Sequence, residues 1–250
     1  MPGSIENGSS GVSADSTPGA STGLVATVIN MFAAPQEAFT TLKSKPSILF
    51  PLCLIVLLNA LVLGWYFSIV DYEWFIDDIL AAENMDDTDR AQARESMLGL
   101  SINSFAMLGV LGGTAAIVVV NLIQAAYLSL AAAIRGDRFK FRHWFSLTCW
   151  AGMPVLLTIA GSAVTILLTP NGQLSAYQLD PLTLYNLGIT TANASAQSLF
   201  QSISLAMLWS IGLLVCGHHY WTEASWGKSA ALVLSPYFLV LGIWGFFAFG

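Results

Sequence analysis

Ser96–Ile134 reads SMLGLSINSFAMLGVLGGTAAIVVVNLIQAAYLSLAAAI, with no ionisable side chain along its length. A bilayer core takes about 20 apolar residues per helix. The stretch is too long for one upright span at about 1.5 Å per residue and too short for two spans with a loop. We read one long helix whose spanning part is 105–131 and whose start projects into water. Folding back at Gly112-Gly113 would make two spans of it, but would break the alternation of charge described below.

Working outward, the same test finds four more apolar runs. Ser47–Val70 (SILFPLCLIVLLNALVLGWYFSIV) is free of charge. A third run covers 144–169 and ends at Pro170-Asn171-Gly172, a strong turn signal. The fourth covers 199–217 and the fifth 229–249. The expected fold is all-α: a polytopic membrane protein with five transmembrane helices over 46–250, preceded by an N-terminal amphipathic interfacial segment. The whole chain supports this, being 55% hydrophobic and only 10% charged over 250 residues. Soluble domains carry about 25% charge. That balance excludes a cytosolic enzyme and a nucleic-acid binder.

Lys and Arg set orientation. Lys43 and Lys45 precede the first run, Arg135, Arg138, Lys140 and Arg142 form a loop between the second and third, and Lys228 lies between the fourth and fifth. With five spans these seven share one side, against Arg90 and Arg94 on the other. The expectation is a cytoplasmic N-terminus and an extracytoplasmic C-terminus, in a cell (inner) membrane. Acids fall in the reverse pattern, nine of fifteen between Asp71 and Glu95. Asp86–Asp89 supply caps and a first turn, so a short helix over 89–97 is expected there. No calcium-loop spacing appears in it.

Residues 1–22 are rich in Gly, Ser, Thr and Pro, the composition of a disordered polar tail. The segment 23–45 follows. Leu24, Val25, Val28, Ile29, Phe32, Phe39 and Leu42 recur at three and four, and Pro35 divides the stretch. It is too short and too polar to span. Two helical pieces lying in the cytoplasmic interface fit this pattern, with Phe32, Pro35, Phe39, Lys43 and Lys45 as anchors. A helix packed on the ends of the bundle fits it equally.

Polar residues at depth are Asn59, Asn121, Gln124 and Thr165. Intramembrane amides bond across helices for about 0.6 kcal/mol each. They are read here as interhelical glue, a solute path being the alternative. Gly109 and Gly113 form a GxxxG spacing, and Gly112 and Ala116 extend a small-residue face that permits close helix approach. Pro154 and Pro236 lie inside apolar runs and should kink them. Cys53, Cys149 and Cys216 sit in apolar stretches, unlike a disulfide framework. His218, His219 and Glu223, with His143 on the same side, lack the ligand pattern of a zinc site. Aromatic neighbours Tyr220, Trp221 and Trp226 make the cluster an anchoring belt. Neither a catalytic residue, a cofactor nor a metal is expected.

The order of these features resembles a known family. The signs are Phe32-Ala33-Ala34-Pro35-Gln36-Glu37-Ala38-Phe39, Lys45-Pro46 and Pro51, and Gly136-Asp137-Arg138-Phe139-Lys140-Phe141 leading to Ala151-Gly152-Met153-Pro154. Asp180-Pro181-Leu182, Leu208-Trp209-Ser210 and Trp226-Gly227-Lys228-Ser229-Ala230 follow. Together they resemble the Yip domain (Ypt-interacting protein) family in its prokaryotic branch, from about Val25 to the C-terminus. The resemblance implies a five-span membrane protein that forms homo- or hetero-oligomers with other membrane proteins, with membrane lipids around it. It implies a scaffold or accessory role, in some prokaryotic members beside an ABC-type export system. It brings no catalytic residues. A small-solute or lipid transporter lined by intramembrane Asn and Gln is the alternative.

Overall fold

In the computed structural model, which describes residues 23–83 and 85–249, the chain is helical nearly throughout. The tail expected over 1–22 lies outside the described residues. The Pro35 signal divides the first segment as expected. Helix α1 is Leu24–Ala33, and α2 is Pro35–Ser44 with Pro35 at its first turn, where a missing N–H does no harm. Helix α3 is Leu49–Ile69.

The acidic segment folds into two helices rather than one. Helix α4 is Tyr72–Ala82, its first turn capped by Asp71, and α5 is Asp87–Leu98, capped by Asp86. Only the second was expected. Helix α6, Ile102–Arg135, runs unbroken for 34 residues through Gly112-Gly113. Ser101 caps its start, and Gly136 ends it with φ +77, a left-handed conformation that suits glycine.

The third apolar run is more than kinked. Helix α7 is Phe141–Ala151 and α8 is Val155–Leu168, separated at Gly152-Met153-Pro154. Pro154 has no N–H, and the N–H groups of Met153 and Val155 turn to the carbonyls three residues back, Trp150 and Gly152. The fourth run also differs from a single helix over 199–217. Helix α9 is Ala194–Ser202, and α10 is Leu205–Thr222. Between them the extended Ile203 and Ser204 pair with the outer loop: Leu184 N–H donates to the Ile203 carbonyl at 2.8 Å, and Leu205 N–H to Leu182 at 2.9 Å. Ser204 then caps α10. Helix α11, Trp226–Phe249, contains Pro236 without interruption.

Among the described residues four helices are long and apolar enough to cross a membrane: Leu49–Ile69, Ile102–Arg135, Phe141–Leu168 and Trp226–Ala248. Helix α10 falls outside this set because His218, His219, Tyr220, Trp221 and Thr222 dilute its last turns. Contacts between helix ends show that α3, α6, α7–α8, α10 and α11 alternate in direction. At one end, Ser146 Oγ and Trp150 Nε1 donate to the Ser47 carbonyl at 2.8 and 2.9 Å, and His218 meets Arg135 and Ser229. At the other, Tyr66 Oη donates to the Leu174 carbonyl at 2.8 Å, and Asn193 Nδ2 to Ala248 at 2.9 Å.

Two buried clusters follow from this arrangement. The larger gathers Met31, Phe39, Leu42, Leu128, Trp144 and Trp150 with their neighbours at the first end. The smaller joins Tyr66, Val70, Phe75, Ile76, Leu80 and Ile166 at the second. The outer surface of the bundle stays apolar, with Leu57, Leu61, Val119, Ile123 and Phe238 exposed. Such a surface on a chain of this composition is one for lipid.

Candidate functional site

The glycine face of α6 divides by position. A Cβ at Gly109 would sit 2.7 Å from the Phe67 ring, and one at Gly113 would sit 3.2 Å from Leu63 and 3.5 Å from the Asn59 amide. These two glycines therefore let α3 lie against α6. Gly112 faces open space. Ala116 turns instead toward a cavity of about 370 Å³ at the middle of the bundle.

That cavity collects polar side chains from four helices: Asn121 and Gln124 of α6, Thr148 of α7, Ser210 of α10 and Tyr237 of α11. Asn121 Nδ2 donates to its own helix at Ile117, 2.9 Å away, and Thr148 Oγ1 donates toward the Phe145 carbonyl at 3.1 Å. Gln124 Nε2 donates to Tyr237 Oη at 2.8 Å, tying α6 to α11. Tyr127 strengthens the same seam, donating to the Leu232 carbonyl at 3.0 Å. Ser210 Oγ is buried without a hydrogen-bond partner. The broken segment between α7 and α8 forms one wall through Ala151, Gly152 and Val155. Asn59 lies away from the cavity, on the α3–α6 contact, and Thr165 donates to the Gly161 carbonyl of its own helix. Thr148, Ser210 and Tyr237 join Asn121 and Gln124 in this lining without having been expected there. Each was visible as a polar residue inside an apolar run.

The basic end is a built surface. Helix α2 buries Ala38, Phe39 and Leu42 against α7 and α10, and Trp221 Nε1 donates to the Phe39 carbonyl at 2.9 Å. Lys43 Nζ lies 5.6 Å from the Phe139 ring centre, a cation–π arrangement, and Arg142 donates to the Pro46 carbonyl at 3.3 Å. Lys45, Arg138 and Lys140 are exposed. Arg135 is exposed too, but its guanidinium reaches a buried partner. Its guanidinium meets Asp137 at 3.0 Å and His218 Nε2 at 2.8 Å. A guanidinium can only donate, so Nε2 accepts and the ring proton is on Nδ1, 2.9 Å from Ser229 Oγ. The neutral ring is fully buried and stacks on Trp144 at 5.9 Å.

Helix α10 ends at Thr222, so Glu223, four residues after His219, lies outside it. Glu223 adopts φ 57, and His219 donates to the Ala224 carbonyl while stacking on Trp226 at 4.0 Å. The described residues contain no group of three His, Cys, Asp or Glu placed to hold a metal. Cys53, Cys149 and Cys216 are free.

The acidic end closes over the smaller core. Arg94 Nε donates to Asp77 at 2.6 Å and a second nitrogen reaches Glu73 at 3.6 Å, joining α4 to α5. The Arg94 hydrogen bond holds the Asp77 carboxyl below its usual range. Ser175 Oγ donates to Asp78 at 2.7 Å, and Tyr72 Oη reaches the Met97 and Leu100 carbonyls at 2.8 and 2.7 Å. These bonds turn much of an acidic segment into a fitted cap.

Comparison with known proteins adds one finding. The family model described as Yip1 domain matches residues 29–249, nearly the whole of the described bundle. No curated protein and no solved structure matches the chain.

Proposed function

The chain belongs to the Yip1 domain family, and we propose that within it, in the prokaryotic branch, this protein is an integral membrane scaffold or accessory subunit that works by binding partner proteins. The observation that carries this reading is the platform at the basic end. Helices α1 and α2 are pinned to the bundle through Met31, Phe39 and Trp221. At the same end of the bundle Gln36, Lys45, Arg138 and Lys140 are exposed. A docked helix pair with a free polar side suits recognition of another protein, and a membrane export or trafficking complex is the setting that the family resemblance supports.

In this proposal α10 is the fifth span. It is 18 residues long, about 27 Å at 1.5 Å per residue, close to the hydrocarbon thickness. It runs antiparallel to its neighbours, as a span must. Basic residues then lie on the cytoplasmic side of the inner membrane with the N-terminus, and the C-terminus is extracytoplasmic. The exposed Leu24, Val25 and Ile29 of α1 dip into the adjacent headgroup layer. Homo- or hetero-oligomers form through the apolar flanks.

The test is copurification from the native membrane in mild detergent, with the doubly reversed variant Arg138→Glu, Lys140→Glu beside the unaltered protein. A membrane partner present with the unaltered chain and lost with the variant is the expected result. An unchanged set of copurifying proteins, with saturable solute flux in liposomes abolished by Asn121→Leu or Gln124→Leu, replaces the scaffold with the second reading. That reading, a transporter, draws on the polar cavity at mid-bundle.

A further inference from the structure

The mid-bundle cavity does not end at its polar wall. A second chamber of about 330 Å³ adjoins it, and Val120, Gln124, Met207, Leu214 and Tyr237 line both. The second chamber is walled by aliphatic side chains, among them Leu128, Val233, Pro236 and Leu241. Its polar atoms are confined to Gln124, Tyr127 and Tyr237. Each chamber falls within the range of a small-molecule site, about 300–1,000 Å³. The two chambers adjoin along these shared residues; both are lined mainly by apolar side chains, and the first adds Asn121, Thr148 and Ser210.

Three observations define what fits. First, among the described residues no charged side chain lines either chamber, so an ionised head would be buried without a counter-charge. Second, the first chamber offers hydrogen bonding in both senses. Ser210 Oγ is buried with no partner, Tyr237 Oη accepts from Gln124 and keeps its own proton, and the Asn121 amide spends one of its two N–H groups on Ile117, leaving Oδ1 as an acceptor. Third, the lining residues Val120, Ile123 and Val240 are 50%, 63% and 61% exposed on the outer face of the bundle, which bilayer lipid covers. The space is thus entered sideways from the membrane, and its occupant comes from there.

We propose that the cavity between α6, α7, α10 and α11 binds a neutral acyl lipid of the glycerol-ester type, its hydroxyl and ester groups on Asn121, Ser210 and Tyr237 and its chain in the apolar chamber. Proline shapes both ends of the site. Pro154 opens the α7–α8 break that walls the polar chamber, and Pro236 lines the apolar one. The Gln124–Tyr237 hydrogen bond lies at the junction and separates head from tail. The site is independent of the protein-docking surface at the basic end. Loss of lipid binding with copurification retained would bear on this proposal alone.

The experiment uses the full chain in phosphatidylcholine liposomes at pH 8 and a monoacylglycerol carrying a photoactivatable diazirine in its tail. Labelling is expected to saturate, and to fall within residues 116–128, 207–214 and 233–241. Unlabelled monoacylglycerol should compete, and the fatty-acid anion of equal chain length should not. Ser210→Ala should weaken half-saturation by about fivefold, the usual loss for one hydrogen bond. Leu208→Ala, on the outer surface, should leave it unchanged. Labelling that rises without limit and spreads over exposed Phe238, Phe246 and Phe247 would overturn the proposal. So would equal competition by the fatty-acid anion, or crosslinks from these segments to a second copy of the chain in place of lipid. The competition series on the unaltered protein decides the matter even where a variant fails to fold.

Discussion

At the basic end the side chains that hydrogen-bond into the core are fully buried indoles, an imidazole and the Ser146 and Ser229 hydroxyls; at the acidic end they are phenols, the Ser175 hydroxyl and carboxylates that stay partly or largely in contact with water. Trp150 and Trp221 each send one N–H to a backbone carbonyl, at Ser47 and Phe39, and pack the rest of the ring among apolar neighbours. Tyr66 and Tyr72 also donate to carbonyls, but the segments they hold are joined by Asp77 to Arg94 and Ser175 to Asp78 near water. The first end draws its strength from area removed from solvent, the second from caps and short polar ties. Such differences set how each end should respond to mutation and to pH.

The largest effect should come from Trp150→Ala. Removing a fully buried indole stacked on Phe50 should destabilise by about 3–5 kcal/mol in a reversible unfolding titration in mixed micelles. Trp150→Phe keeps a six-membered ring but loses the Ser47 bond and part of the indole volume, so about 2 kcal/mol is expected. A loss as small for alanine as for phenylalanine would end the claim that burial dominates here.

At the other end the most sensitive position is a glycine. Gly172 has φ +72, and a Cβ there would strike the Ile69 carbonyl oxygen. Gly172 also accepts from the Asp71 N–H at 3.0 Å, which locks the loop onto the start of α4. Gly172→Ala should cost about 1–3 kcal/mol by the same titration, with faster hydrogen exchange in α4 than in α7. Tyr66→Phe removes one buried bond and should cost about 1 kcal/mol.

The smallest effect separates the ends by pH. Asp77 is held below its usual range by Arg94, so the folded state binds its proton less readily than the unfolded chain. That contribution is complete above the ordinary carboxylate range and fades as pH falls through the lowered folded value. Asp77→Asn should therefore lower stability slightly near pH 7 and converge with the unaltered protein in strong acid. An equal loss at both pH values would show that the effect does not come from the Asp77 charge.

Much of this architecture was legible as gaps between charges. The runs before Val70, across Ser96–Ile134 and after Ser229 became α3, α6 and α11, because an uncharged stretch of that length has few other outcomes. Pro35 divided α1 from α2, and Asp86 capped α5, both by local chemistry. What escaped was set by distant contacts. Nothing near Ile203 marks a helix break; residues 182–184 impose it from twenty positions away. Helix α4 was hidden because Asp77 and Asp78 read as solvent-seeking, while Phe75, Ile76 and Leu80 of the same helix are buried. The cavity was half legible. Asn121 and Gln124 stood out by type, but Ser210 and Tyr237 join them only through the packing of α10 and α11 on α6. His218 read as an anchor in a belt, and its partner Arg135 lies 83 residues away.

The separation of charge between the two ends has an electrical consequence. In the proposed orientation the positive end faces the negative interior of an energised membrane, and the acidic cap faces the positive exterior. A membrane potential acts on each elementary charge with about 2.3 kcal/mol per 100 mV across the full thickness. The charged groups are concentrated at the two ends, while α7–α8 carries none over Trp144–Thr169 and α11 none over Ser229–Phe249. The field therefore favours one seating of the whole molecule, yet has little purchase on any rearrangement of the middle, which makes the protein a dipole that voltage aligns and does not gate.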